Sequence, residues 1–205
     1  SAEESWGIEV RQFYGDPEQP EVWKALDDFL DQRWTHPTGA RLGIACCAVD
    51  SGYSTRNVYQ FTRPRASRRI YAVKGSNQSG APLIAKRSGK AGGRVLLFNV
   101  GTDTAKDSIF ARLKIDEPGA RFMHFPTGNG YTEEYFKQLT GEELRTRMHH
   151  GFPVRYYKKI RERNEALDLR VYNLAAFEIL NPHMEKIMEG IAGEEPTEEP
   201  ESGSL

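Results

Sequence analysis

The sequence predicts a mixed α/β fold, and three patterns support this class. Residues 44–49 are an apolar run too short for a typical helix, bounded by Gly43 and Gly52. Because the run shows no polar alternation, it is typical of a strand that is covered on both faces. Residues 20–34 carry an apolar stripe at helical spacing, and residues 163–180 are apolar almost all round, which indicates a buried helix. A chain of 205 residues is long enough for one domain with a real core.

The other elements follow from local signals along the chain. Strands are predicted at "SWGIEVRQFYG", "RRIYAVKG" and "FMHFP", and "PLIA" and "RVLLFNVG" are predicted to pair as a β-hairpin. Helices are predicted at "STRNVYQFTRP", "DTAKDSIFARL" and, in two pieces, "TEEYFKQLTGEELRTRM". The segment "VRYYKKI" is compatible with a strand or a loop. We expect a domain over residues 1–190, followed by a disordered acidic tail at 191–205, because "GEEPTEEPESGSL" cannot build a core.

Basic residues are concentrated in one part of the chain, although the formal net charge is only -1. Residues 51–102 contain no Asp or Glu and ten basic residues, among them Arg56, Lys74, Lys86, Arg87 and Lys90. Such a stretch favours a surface that faces the phosphates of a nucleic acid. The alternative is a solvated face whose countercharges come from elsewhere in the fold.

Several protein classes are disfavoured by the sequence. No run of 18 apolar residues suggests a membrane span. The only cysteines, Cys46 and Cys47, are adjacent, so a mutual disulfide is not expected and a reducing setting fits. No Cys/His spacing indicates zinc, and no G-x-G-x-x-G or G-x-x-x-x-G-K-[ST] indicates a nucleotide site.

Two carboxylates stand in apolar surroundings. Asp50 ends the strand predicted at 44–49, and ligands collect at the carboxyl ends of strands in α/β sheets, although an N-cap is an equally good interpretation. Asp168 lies near the start of the apolar helix, where a buried carboxylate is costly unless it is paired or bound to a metal. If the two converge, they could hold a hard divalent cation such as Mg²⁺.

Motifs along most of the chain resemble a known family. "VDSGYSTRNVYQFTR", "YAVKGSNQSG", "NVGTDTAKDSIFARL", "MHFP", "EYFKQLTGEEL" and "RNEALDLRVYNLAA" are similar, in this order, to the large terminase subunits of lambda-type tailed phages. The resemblance implies the C-terminal nuclease domain of that packaging enzyme. The implied fold is an RNase H-like mixed sheet flanked by helices, with an inserted β-hairpin and a disordered acidic tail.

The resemblance also implies an activity, cofactors and partners. The domain would cut concatemeric double-stranded DNA with two ions of Mg²⁺ or Mn²⁺, both held through Asp50 and Asp168. Its partners would be double-stranded DNA and, through the full-length protein, the terminase small subunit and the portal of the procapsid, with no membrane. It would act in the host cell cytoplasm and would not be a virion component.

The match departs from the family at its start. The family's first metal-binding aspartate lies upstream of the "ESW" stretch, whereas this sequence begins at Ser1, after that point. We therefore expect a nuclease domain without its first acid, its first core strands and the ATPase domain. The competing hypothesis is a non-catalytic module that binds DNA or docks on the portal.

Further candidates carry two interpretations each. Lys106 could contact the scissile phosphate or be an exposed first-turn lysine, and Asp103 is more typical of a helix cap than of a metal ligand. His124 is more typical of a satisfied core histidine than of a ligand. Glu165 could supplement Asp168 or lie on a helix surface, and Tyr53 could stack or pack.

Overall fold

The chain was analysed in a computed structural model that describes residues 4–76, 78–91 and 95–192, without the side chains of 86–91 and 192. The α-helices are α1 (Pro20–Leu30), α2 (Thr55–Thr62), α3 (Thr102–Arg112), α4 (Glu133–Leu139), α5 (Glu165–Leu180) and α6 (Met184–Ala192), with a 3₁₀ helix at Arg63–Arg68. The strands are β1 (Ser5–Trp6), β2 (Arg33–Thr35), β3 (Arg41–Gly43), β4 (Cys47–Asp50), β5 (Ile70–Ser76), β6 (Ile84–Ala91), β7 (Val95–Gly101), β8 (Met123–His124), β9 (Glu142–His149) and β10 (Phe152–Lys159).

The main sheet has the strand order β4-β5-β7-β6. Strands β4, β5 and β7 run parallel, and β6 pairs antiparallel with β7. The predicted mixed α/β class is therefore confirmed. The hairpin expected around the glycine-rich segment forms part of the main sheet. Its status as an insertion and the RNase H-like class stay predictions.

The side chains of each strand in the main sheet alternate between two hydrophobic cores, one on each face of the sheet. Ala72 of β5 and Leu97 of β7 pack with Val58 of α2 on one face. On the other face Val73 and Val100 pack with α3, α4 and α5. Since neighbouring residues of a strand point to opposite faces, this alternation decides which polar side chains can meet.

Three predicted elements are corrected at the start of the chain. Helix α1 ends at Leu30 instead of residue 34, and Trp34 keeps its apolar contact from β2, edge-on to Phe29. Only Ser5–Trp6 of "SWGIEVRQFYG" is a strand, paired in parallel with β8. Strand β4 begins at Cys47 instead of residue 44 and lies half-buried at an edge of the described sheet, with Ala48 packed on one core and Val49 on the other.

The largest correction concerns residues 142–149, of which the sequence pattern predicts 142–148 as helix. They form β9, paired over eight residues with β10 in a separate two-stranded sheet. Partner pairing and the burial of Glu142 at the start of β9 override the local helix preference. Helix α6 follows the predicted end of regular structure at residue 180. The acidic residues from 193 onward lie outside the described part of the chain.

Candidate active site at the carboxyl end of the sheet

Asp50 is placed by the end of β4 and the loop that follows it. Ser51 continues the parallel ladder through its backbone N–H to the carbonyl of Val73, and its buried hydroxyl donates to the same oxygen at 2.8 Å. Asp50 Oδ1 accepts the backbone N–H of Gly52 at 3.0 Å. The N-cap position of α2 is Ser54, so the interpretation of Asp50 as that cap is wrong.

Asp168 reaches the same edge from the helix packed on this face. Asp50 is paired in register with Val73, whose side chain packs against α5, so the Asp50 side chain also points toward α5. The Asp168 carboxylate is half-buried in the first turn of α5. The negative charge of Asp50 contributes to the titration of Asp168, which reflects their proximity.

The pKa of the Asp168 carboxyl is raised above its ordinary value. Burial is the largest cause, since it disfavours the charged form. The negative charges of Glu142 and Asp50 raise it further, whereas the positive charges of Lys106 and Lys159 lower it. A site where neighbouring negative charges disfavour the ionisation of Asp168 is one where an added cation is electrostatically stabilised.

Lys106 is the third predicted residue at this place, and it is not an exposed lysine. It lies on α3, is buried, and its Nζ is 2.7 Å from Glu142 Oε2. The side chains are 11% and 7% exposed. Asn164 joins this pair to the acid of α5, since its Nδ2 donates to Glu142 Oε1 at 2.7 Å and to Asp168 Oδ2 at 3.5 Å.

Tyr172 completes the cluster on the side of Asp50. Burial raises the pKa of its hydroxyl, and the negative charges of Asp50 and Asp168 and a hydrogen bond to Asp50 raise it further. The phenol therefore stays protonated, with its hydroxyl near the Asp50 carboxylate. The sequence reasoning missed Asn164 and Tyr172, although both lie at helical spacing from Asp168, four residues before and four after it.

The oxygen donors of the cluster suit one hard divalent cation. Mg²⁺ is commonly held by one or two carboxylates, with water and phosphate oxygens in its other positions. Asp50 has no ion pair with any side chain that the structure describes, and Asp168 is half-buried beside it. No group of three or more His, Cys, Asp or Glu side chains suited to a metal occurs among the described residues, so these supply no second ligand set.

Other predicted residues lie apart from this cluster. Glu165 is exposed and pairs with Arg163 at 3.3 Å, which agrees with the interpretation that it lies on the helix surface. His124 is satisfied by Glu4 at 2.6 Å and by stacking on Trp6. Tyr53 is 79% exposed and therefore does not pack.

Asp103 does not cap its helix. It lies in the first turn of α3, whose N-cap position is Gly101, and no side-chain hydrogen bond caps this helix. The interpretation of Asp103 as a cap is therefore wrong.

The basic stretch at 51–102 is partly neutralised by α1. Arg65 bonds Asp27 at 2.6 Å, and Arg68 bonds Asp27 at 2.7 Å and Asp31 at 2.5 Å. The hydrogen bond from Arg65 is the largest cause that lowers the pKa of Asp27 to about 2. For these two arginines the countercharges do come from elsewhere in the fold.

Two of the five residues predicted to bind DNA, Lys74 and Arg56, lie away from the carboxylates. Lys74 is exposed and follows Val73, so it points to the face opposite Asp50. Arg56 is exposed on α2, which packs on that opposite face. The side chains of Lys86, Arg87 and Lys90 lie outside the described residues, although their backbone belongs to β6.

Comparisons with known proteins identify the family of this chain. The sequence model of the family described as "Terminase large subunit gpA, endonuclease domain" matches residues 1–188. The chain is 30% identical over 183 residues to the terminase large subunit of Escherichia phage lambda, covering 86% of this chain and 28% of that protein. It is 29% identical over 184 residues to the terminase large subunit of Enterobacteria phage P21, covering 86% of this chain and 29% of that protein.

The chain thus spans less than a third of the length of these two relatives. No solved structure matches it significantly. No helix in the described part of the chain is long and apolar enough to cross a membrane. Because the family model covers nearly the whole chain, this protein belongs to the gpA-type terminase large subunits of phages, as their endonuclease domain.

Proposed function

We propose that this domain is an RNase H-like, metal-dependent hydrolase that cuts concatemeric double-stranded DNA during viral genome packaging in the host cell cytoplasm. One observation carries the proposal: Asp50 and Asp168 come from a strand end and a helix to one edge of the sheet, beside a buried lysine. The parallel strands β4, β5 and β7, with an antiparallel edge strand and helices on both faces, are compatible with the RNase H-like class.

Asp50 and Asp168 are the proposed ligands of Mg²⁺ or Mn²⁺. When bound, such ions polarise a phosphodiester and make a water molecule a better nucleophile. The donors described here suit one ion, and a pair of ions would need a further carboxylate from outside the described residues. We propose the pair because the family resemblance implies it.

The other members of the cluster orient these two carboxylates. The protonated hydroxyl of Tyr172 lies near the Asp50 carboxylate, and the amide of Asn164 reaches Asp168 Oδ2 at 3.5 Å. The same amide bonds Glu142, which is bound to Lys106. A ligand whose direction is already restricted loses less entropy when it binds a cation.

Lys106 acts as a positioning residue in this proposal. Its ammonium is occupied by Glu142 and is nearly buried, so contact with a scissile phosphate would require it to leave that partner. Its positive charge also lowers the pKa of Asp168 and thereby favours the ionised, metal-binding form.

A nicking assay tests the proposal. Supercoiled plasmid is incubated with Mg²⁺ or Mn²⁺ and either this chain or the longer terminase subunit, each as wild type and as Asp50→Ala, Asp168→Ala and Glu165→Ala. The Glu165 variant is a matched control, because this acid lies one turn before Asp168 on the same helix but is exposed.

We expect metal-dependent nicking that Asp50→Ala and Asp168→Ala abolish and Glu165→Ala preserves. Nicking that persists in EDTA, or in the Asp50 variant, would contradict the mechanism. DNA binding without cutting by either form would favour the competing non-catalytic DNA-binding or portal-docking module. The comparisons do not favour that module, because the matched family is an endonuclease domain. Contacts with the small subunit and the portal are proposed for the full-length protein only.

A further inference from the structure

Strands β9 and β10 form a ribbon that extends from the base of the carboxylate cluster. Eight residues of each strand pair antiparallel, which gives a length of roughly 27 Å at about 3.4 Å per residue. The described contacts that hold it lie near its base. Glu142 bonds Lys106, Tyr157 stacks on Phe110, and both Tyr157 and Arg155 bond Asp107. A two-stranded ribbon has no core of its own, so its outer part is unsupported in the free domain.

The outer half of the ribbon exposes large apolar side chains. Met148 and Phe152, which flank the turn and point to opposite faces of the ribbon, are 67% and 73% exposed. The turn residues His150 and Gly151 both adopt positive φ angles, 48° and 82°, which is typical of the tight turn of a regular hairpin. Exposed apolar side chains clustered at the end of an ordered element indicate a contact surface.

The charge of the ribbon indicates the kind of partner that it binds. Residues 143–161 contain one acid, Glu143, and six basic residues, namely Arg145, Arg147, Arg155, Lys158, Lys159 and Arg161. Arg145 pairs with Glu143, and Arg155 pairs with Asp107. Arg147, Lys158, Lys159 and Arg161 have no ion pair with any side chain that the structure describes, which leaves an excess of positive charge suited to a phosphate backbone.

The ribbon is continuous with the cluster that contains the carboxylates. Glu142, its first residue, belongs to the buried network of Asn164 and Asp168. Lys159 is paired in register with Glu142, and its charge acts on Asp168. A polyanion bound along the ribbon therefore ends beside Asp168, at the base of the ribbon.

We propose that β9–β10 is a DNA-binding arm that lies in a groove of the duplex and holds the strand to be cut against Asp50 and Asp168. The inference rests on the proposed nuclease function. The major groove of B-DNA is wide enough to admit a two-stranded β-ribbon. Basic side chains along the arm bind phosphates, and Phe152, on the same face of the ribbon as Arg147 and Lys158, contacts the apolar parts of the groove. This interface lies outside the basic stretch at 51–102 that the sequence pattern favours.

The test measures binding without cutting. Anisotropy of a fluorescein-labelled 30-base-pair duplex is followed in EDTA over a salt series, for wild type and for Arg147→Ala with Lys158→Ala. These positions are exposed and lie on the ribbon face that points away from Tyr157. The matched control, Lys114→Ala with Lys186→Ala, removes the same charge from exposed positions beyond α3 and on α6.

We expect the arm variant to bind about ten-fold more weakly at low salt, and its log–log salt slope to fall by about 0.9 for each phosphate that the arm no longer neutralises. The control variant should stay within about two-fold of wild type, because non-specific loss of charge far from the DNA path acts only through a screened field. A second arm variant, Met148→Ser with Phe152→Ser, should weaken binding while the salt slope is retained.

Equal affinity of wild type and the arm variants, or failure of the wild type to bind the duplex, would overturn the inference. An unchanged affinity combined with a change in oligomeric state of the Met148/Phe152 variant would identify a protein interface instead. The two proposals fail separately. Weaker binding by the arm variants together with no metal-dependent nicking by wild type would retain the arm and reject the nuclease. Metal-dependent nicking by wild type together with unchanged DNA binding by the arm variants would retain the nuclease and reject the arm.

Discussion

Replacement of Glu142 by Gln should destabilise the domain far more than a change of one charge normally does. Gln keeps the shape of the side chain, but its single amide oxygen replaces only one of the two carboxylate oxygens that accept from Lys106 Nζ and from the amide of Asn164. It removes the negative charge that faces a nearly buried ammonium at 2.7 Å. Removing one partner of a buried ion pair costs about 3–5 kcal/mol, because the remaining charge is left uncompensated.

The structure places the expected loss at the lower end of that range. Asp168 also acts on Lys106 electrostatically, so part of its countercharge remains in the variant. We therefore expect the free energy of unfolding to fall by about 3 kcal/mol in Glu142→Gln. Lys106→Met should cost at least as much, whereas the double variant should recover most of the loss, since a well-packed neutral pair is often as stable as a buried ion pair.

Urea unfolding in metal-free buffer at pH 7, followed by circular dichroism, gives the free energy of unfolding of wild type, both single variants and the double variant. The control is Lys24→Met, which breaks a 2.6 Å ion pair whose side chains are 75% and 65% exposed and should leave the midpoint unchanged. A Glu142→Gln variant as stable as this control would refute the reasoning, because the pair would then be solvated. Losses that simply add in the double variant would refute the direct coupling of the two side chains.

Two further predictions concern the site acid and the sheet. The pKa of Asp168 is raised in the folded state, so the protonated acid contributes stability that is present below the unfolded pKa of about 4 and is lost as the pH rises through the folded value. Asp168→Asn should therefore raise the melting temperature of the metal-free domain at pH 7 but not at pH 3, as calorimetry at the two pH values can check. Gly101→Ala should cost about 1–3 kcal/mol in urea unfolding, since the added Cβ would meet the backbone carbonyl oxygens of Ala81 and Pro82. Gly190→Ala, where α6 leaves open space around the Cβ, should instead stabilise by about 0.5–1 kcal/mol, and a loss there would contradict the argument.

Local patterns predict the parts of this protein that depend on near neighbours in the chain. The helices α3 and α5 and the strand β5 agree with their predicted positions, because apolar spacing and flanking glycines act over a few residues. The local pattern failed at 142–149, where the strand depends on pairing with β10 instead of on its own residues. The same limit affected residue 34, whose apolar side chain fits a helix stripe but packs from a strand.

The chemistry of the site divides in the same way. The sequence alone determined that Asp50 and Asp168 are out of place in their local surroundings, since a carboxylate at the end of an apolar strand or on an apolar helix is costly without a partner. It also determined the family, through motifs spread over the whole chain.

Only the tertiary structure decided the partners of those residues. The bond between Lys106 and Glu142 spans 36 positions, and the pairing of Asp27 with Arg65 spans 38. The bond to Glu142 places Lys106 in a buried network, whereas the sequence presents this lysine as exposed or DNA-facing. The pairing with Asp27 neutralises arginines that the sequence presents as DNA-facing. Charges interact through space at distances that the packing of helices on the sheet sets, and separation along the chain carries no information about that distance.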